Sequence, residues 1–171
     1  MKNVVTSMLF VAFLAFTSAT TIQAQTVAYV NSEDILSEMP AYKQAKSDLE
    51  AYGKQLEKLL VQKREEMQKY YTKTMEDVQA GNLTPKQQQE AEAKLQQMQA
   101  DLQKEASAAD QQLLKKEQEL TKPIHDTFNE AIKKVAKENS YGYIVDQKLL
   151  LYSIGGIDAT EKVKTALGLS W

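Results

Sequence analysis

The chain has 171 residues, with 21 Lys and Arg against 23 Asp and Glu, one His and no Cys. Without cysteine there is no disulfide framework, thiolate nucleophile or cysteine-ligated metal, and the single histidine, His125, has nothing around it that suggests a metal site or a Ser-His-Asp triad. A formal net charge of -2 lacks the basic surplus of a dedicated nucleic-acid binder, and only three Pro and six Gly point to long uninterrupted elements.

Residues 1–24 read as a secretory signal rather than as part of the fold. Lys2 supplies a positive start, residues 4–16 form an apolar run too short to cross a bilayer, and Ile22-Gln23-Ala24 fits cleavage after Ala24. With no Cys to acylate, the exported chain is not expected to be a lipoprotein or to insert stably in a membrane. Residues 26–31, Thr-Val-Ala-Tyr-Val-Asn, alternate and are β-branched, so they predict a strand.

From Ser32 to about Asn139 the chain is rich in Lys, Glu, Gln, Ala and Leu, and apolar residues recur at steps of three and four, which predicts helix throughout. The first stripe runs Met39, Tyr42, Ala45, Leu49, Tyr52, Leu56 and Leu59, then drifts to Leu60, Met67, Tyr71, Met75 and Val78. That drift marks a helix leaving strict heptad geometry. Gly81 suits a helix C′ position, Thr84 an N-cap and Pro85 the first helical residue, so residues 81–85 predict the tip of a helical hairpin. The return stripe carries Ala91, Leu95, Met98, Leu102, Ala106, Ala109, Leu113, Leu120, Ile124, Phe128, Ala131 and Val135. At 1.5 Å per residue each arm should be roughly 60 to 80 Å long. An alanine-padded seam broken by Lys63 and Gln87 should be weak, so the arms are expected to flex, with Pro40, Gly53 and Pro123 as hinge candidates.

Residues 141–145 predict a second strand, 146–148 a turn, and 149–154 a third strand closed by Gly155-Gly156. Asp158 three residues before Glu161 predicts a capping box opening a short helix that ends before Gly168. Three short strands make too small a sheet to stand alone, and the runs 143–145 and 149–151 are apolar on both faces. Oligomerisation at the strand end is therefore expected, through Val27, Tyr29, Val30, Tyr143, Ile144, Val145, Leu149, Leu151, Tyr152 and Ile154. The predicted fold is α+β: a small oligomeric β body from residues 25–31 and 140–171, and an antiparallel helical hairpin, a coiled-coil tentacle, over 32–139.

The order of signal, Val27-Ala28-Tyr29-Val30-Asn31, long Gln/Lys-rich hairpin, and Tyr141-Gly142-Tyr143-Ile144-Val145-Asp146 resembles the Skp family of OmpH-like periplasmic chaperones over essentially the whole mature chain. The resemblance implies a homotrimer whose strands form the body and whose three hairpins surround a cavity. It implies an ATP-independent holdase, without cofactor, that binds unfolded outer-membrane β-barrel proteins in the periplasm and carries them toward the membrane assembly machinery. Methionine adapts to varied apolar partners and tyrosine joins an apolar ring to a polar tip, so Met67, Tyr70, Tyr71, Met75, Leu83 and Met98 are the candidates for client contact. Met67, Tyr71, Met75 and Met98 also lie on the stripe, where they would pack the seam, whereas Tyr70 and Leu83 are less easily explained as core. The chain departs from the basic members of that family in being acidic, with a sequence pI near 5.6. Lys115-Lys116 and Lys133-Lys134 are each flanked by Glu and read as solvated helix faces rather than a lipopolysaccharide site.

An enzyme is not expected. The carboxylate pairs Glu65-Glu66, Glu76-Asp77 and Glu117 with Glu119 fall on exposed helical stretches with no cleft to shift their pKa, and there is no phosphate-binding loop or nucleophile elbow. The rival reading is an exported coiled-coil spacer of the cell envelope; the short, ordinary turn at residues 81–85 offers such a tether no specific docking surface.

Overall fold

A computed structural model describes residues 26–169, so the signal segment read over 1–24 lies outside them. In chain order the elements are strand β1 (Thr26–Val30), helix α1 (Ser32–Glu38), helix α2 (Pro40–Gln79), helix α3 (Pro85–Glu138), strand β2 (Tyr141–Asp146), a 3-10 turn (Gln147–Leu149), strand β3 (Ile157–Asp158) and helix α4 (Thr160–Ala166).

Local chemistry sets the helix ends. The Asn31 side chain accepts from the Asp34 N–H at 3.1 Å and starts α1. Met39, extended because a proline follows it, separates α1 from α2, whose first residue is Pro40. At the far end Gly81 takes φ 69°, and Thr84 caps α3 in a full capping box: the Gln87 N–H donates to Thr84 Oγ1, and the Thr84 N–H donates to Gln87 Oε1 at 2.8 Å. Gln87, expected to interrupt the seam, is thus a cap residue. Helix α3 continues through Pro123, where the Thr127 hydroxyl donates to the Pro123 carbonyl at 2.9 Å.

Helices α2 and α3 run 40 and 54 residues, about 60 and 80 Å at 1.5 Å per residue, and pass each other in opposite senses. Tyr52 Oη donates to Gln112 Oε1 at 3.0 Å, Lys63 Nζ lies 2.6 Å from Glu105 Oε1, and Lys94 Nζ sits 4.5 Å from the Tyr70 ring centre. Between these links the seam is thin: away from the base, its buried residues are Ala91 and Ala109. Gly53 faces Leu113, whose Cδ1 would stand at ordinary van der Waals distance, 3.8 Å, from an added Cβ, so it lies on the seam.

The core lies at the other end. Ala28 and Val30 of β1, Ile35 of α1, Ala131 and Val135 of α3, and Ala159 and Val163 around α4 form one buried cluster, with Met39, Ala45 and Ile124 beside it. The sheet order is β2-β1-β3, and both neighbours run parallel to β1.

Two expectations are corrected here. Residues 149–154 do not form a strand: β2 ends in the 3-10 turn, and the third strand is Ile157–Asp158. The reason is topological, since β2 and β3 both lie parallel to β1 and the chain between them must cross back rather than turn tightly. The capping box at α4 is also not made. Asp158 Oδ1 accepts from the Thr160 N–H at 2.8 Å, while Glu161 turns to Lys164 at 3.4 Å.

Candidate functional site

Two surfaces carry the apolar side chains that the core leaves over. On the long helices, Met67 and Tyr71, four residues apart and so on one face of α2, meet Leu95 and Gln99 of α3. With Gln68 they line an open groove of about 390 Å³. Met98 stands half-buried three residues from Leu95, Met75 follows one turn beyond Tyr71, and Leu83 is half-buried in the tip. The seam leaves Tyr71 47% and Met75 40% exposed, so these stripe residues are open to solvent. Tyr70, less easily explained as core, is half-buried, with the Lys94 ammonium 4.5 Å from its ring centre. Sequence reading missed Gln68 and Gln99 as groove residues and Lys94 as the partner of Tyr70; Leu95 was visible as a stripe residue.

The second surface is the outer face of the sheet. Strand geometry alternates its side chains, so Ala28 and Val30 face the helices while Val27 and Tyr29 face away, in register with Tyr143 and Val145 of β2. The crossing segment lies over part of this face, and the Tyr29 ring packs against Gly156, where a Cβ would come within 3.2 Å. A groove of about 480 Å³ opens there, lined by Val27, Tyr29, Leu150, Tyr152, Ile154 and Ile157 among others. Leu149, Leu151, Tyr152 and Ile154 are exposed, Leu151 completely. Two of the expected contact residues point the other way: Val30 is 3% exposed inside the chain's own core, and Ile144 packs against that core. The cause is the pleat, because one face of the sheet is already covered by α1, α3 and α4.

A buried charge ties the body together. Lys164, 9% exposed at its side chain, reaches Asp34 Oδ2 and Glu38 Oε1 of α1, each at 2.7 Å, and Glu161 of its own helix. The carboxylates of Asp34 and Glu38 hold its ammonium pKa well above the ordinary lysine value. Asp146, at the end of β2, is held below the usual carboxylate range by hydrogen bonds from the Ser32 hydroxyl and the Lys148 N–H.

Other chemistry is sparse. Among the described residues no group of three His, Cys, Asp or Glu side chains could hold a metal ion, and no helix is long and apolar enough to cross a membrane. His125 is exposed, as are Glu65, Glu66, Glu117 and Glu119. Lys115 pairs with Glu119 at 3.9 Å and Lys133 with Glu130 at 2.7 Å, as solvated helix faces do.

No curated protein sequence matches the chain. Among solved structures, a protein from Caulobacter crescentus CB15 described as an OmpH-like outer membrane chaperone superposes with a TM-score of 0.70, covering 82% of each chain at 16% identity. That likeness establishes a shared fold of two long helices and a small sheet. The family model for the OmpH-like outer membrane proteins matches residues 26–167, from the first strand to the end of the last helix. Sequence pattern, fold and family model agree, and the chain belongs to the OmpH-like outer membrane protein family.

Proposed function

We propose that this chain is an ATP-independent holdase chaperone of the periplasm, exported by a cleaved signal over residues 1–24, that keeps unfolded outer-membrane β-barrel proteins from aggregating. Membership of the OmpH-like family and the fold shared with a protein described as an outer membrane chaperone support the general role. One observation carries the mechanism: the packed core is confined to the base, while a helical pair some 60 to 80 Å long carries exposed Tyr71 and Met75 beside an open groove.

An unfolded β-barrel strand presents alternating apolar side chains and unpaired backbone, and aggregates through its edges unless it is enclosed. Arms with a thin seam can bend around such a chain, with Pro40, Gly53 and Pro123 as the points of give. Met67, Tyr71, Met75, Leu83 and Met98 would make many weak apolar contacts with it, and Tyr70 would contribute once Lys94 is displaced. Weak contacts let the client keep moving and leave without nucleotide hydrolysis. The outer sheet face, with Val27, Tyr29, Tyr143, Val145, Leu149, Leu151, Tyr152 and Ile154, is the assembly surface through which three copies would close a body and set their arms around a cavity. Delivery to the outer-membrane assembly machinery would follow.

The test is light scattering with size exclusion on residues 25–171, alone and after dilution of a urea-unfolded outer-membrane β-barrel protein into it. A mass of three chains that shifts to a soluble complex, while client alone precipitates, is the expected result. A stable oligomer that leaves the client to aggregate would overturn the holdase and favour an envelope spacer.

A further inference from the structure

The sequence has no cysteine, so its softest sulfur nucleophiles are the methionine thioethers. Four methionines fall within the described residues, and the fold treats them unequally. Met39 is 5% exposed and packed with Ala45 and Ile124 at the base. The other three lie in the distal half of the arms: Met75 is 40% exposed, and Met67 and Met98 are half-buried. Met67 and Met98 also sit within the stretch bracketed by the Lys63–Glu105 and Tyr70–Lys94 links, and Met67 lines the groove with Tyr71 and Leu95.

We propose that Met67, Met75 and Met98 form an oxidation-sensitive site, at which a hydroperoxide oxidant converts the accessible thioethers to sulfoxides and weakens the arms' hold on unfolded chains. The second half rests on the holdase reading above.

The step balances with one hydroperoxide per sulfur. The sulfur lone pair attacks the terminal peroxide oxygen, the O–O bond breaks as an S–O bond forms, and the departing oxygen takes up the proton and leaves as water when the oxidant is hydrogen peroxide. Sulfur loses two electrons and the peroxide gains them. The product replaces a flexible apolar side chain with a polar, chiral one. In the groove its new oxygen would find the amides of Gln68 and Gln99 as donors. Oxidation there should therefore leave the helices paired but turn an apolar contact surface into a hydrated polar one. At Met39 the same change would place a sulfoxide in the packed base, and burial shields that sulfur from the oxidant.

The experiment exposes the full assembled protein to hydrogen peroxide and follows each methionine by peptide mass mapping. In parallel, the amount of protein needed to keep an unfolded outer-membrane β-barrel protein soluble is measured before oxidation, after it, and after methionine sulfoxide reductase treatment. Helix content is read by circular dichroism throughout. The expected result is that Met75 oxidises first, Met67 and Met98 next and Met39 about tenfold more slowly, with the required amount of protein rising several-fold and returning after reduction while helix content holds. A Met67→Leu/Met75→Leu/Met98→Leu variant, judged against its own untreated activity, should lose that sensitivity. Oxidation of Met39 as fast as Met75 would overturn the site, and sulfoxides at all three positions with unchanged holding would overturn its consequence. If the untreated protein holds no client, the holdase reading and this consequence fall together, while the mass mapping still decides whether the site exists.

Discussion

Lys63 of α2 and Glu105 of α3 meet across the middle of the seam, Nζ to Oε1 at 2.6 Å, and the second carboxylate oxygen of Glu105 is buried without a hydrogen-bond partner. The neighbouring links are Tyr52 with Gln112 and Tyr70 with Lys94, so the linked positions are 52, 63 and 70 on one helix and 94, 105 and 112 on the other. Each helix therefore steps by eleven and by seven. Together these are 18 residues, five whole turns, which return a straight helix to the same face. The eleven-residue step offsets the left-handed drift of the seven-residue one. The linked residues of α2 therefore fall on one face without keeping a strict heptad, in line with the drifting stripe.

The two halves of the pair should not be equivalent. Removing Lys63 strands a carboxylate whose inner oxygen already lacks a partner, whereas removing Glu105 leaves a lysine that can extend into solvent. Lys63→Met is expected to lower the thermal midpoint of the arms more than Glu105→Gln, and the double variant should recover part of the loss. Circular dichroism melts of the four proteins measure this, and equal losses from the two single variants would contradict it.

Ser140 joins α3 to β2 at φ 54°, a left-handed conformation that a residue with a Cβ adopts at a cost. Glycine accepts that angle freely but loses more entropy on folding, so Ser140→Gly should stabilise the body by about 0.5–1 kcal/mol. Ser140→Val, β-branched at the same angle, should destabilise it. Urea unfolding followed by tyrosine fluorescence gives both numbers, and a valine variant as stable as wild type would count against the strain.

The body should respond to pH at two ends. Asp146 has its pKa lowered by Ser32 and Lys148, so its contribution is present above the ordinary value of 3.8 and is lost as pH falls through its still lower folded value. Lys164 has its pKa raised by Asp34 and Glu38. Its contribution is complete below the ordinary value of 10.5 and disappears only as pH rises through the higher folded value. Asp146→Asn is expected to cost stability at pH 7 and progressively less as pH falls below 3.8, while Lys164→Met should cost the same from pH 6 to 9. Thermal melts across pH test both, and a Lys164→Met deficit that vanished by pH 9 would overturn the second.

What the sequence disclosed follows the range of the forces involved. The Gly81 turn after α2 and the Thr84-Pro85 cap of α3 are legible because each is decided within a few residues. The β3 assignment failed because sheet order is a non-local choice: Leu149-Leu150-Leu151 has strand composition, but β1 pairs with β2 on one edge and with Ile157–Asp158 on the other. Val30 was assigned to an interface because alternation tells two faces apart without saying which one the chain's own helices will cover. Lys164 with Glu161 could be seen as a helical pair, but Asp34 and Glu38 lie more than 120 residues away, and only the fold brings them together.

The segment between β2 and β3 offers the sharpest test of assembly. Leu151 is fully exposed and Ile154 is 83% exposed, and Ile154 lines the groove on the outer sheet face together with Val27 and Tyr29. Contiguous apolar surface of this kind is rarely left to water and marks a contact site. Because neither side chain belongs to the buried cores, Leu151→Lys with Ile154→Lys should change the single-chain fold by about 0.5 kcal/mol or less, as surface substitutions do. Burying those lysines between copies would require desolvating unpaired charges, so the assembly should fall apart even though each chain stays folded. Light scattering is expected to drop to the mass of one chain while the circular dichroism spectrum remains helical. Val30→Lys, placed in the chain's own core, should instead unfold the body, and that contrast separates an assembly surface from a folding core. A Leu151→Lys/Ile154→Lys protein that keeps the wild-type mass would show that the copies meet elsewhere.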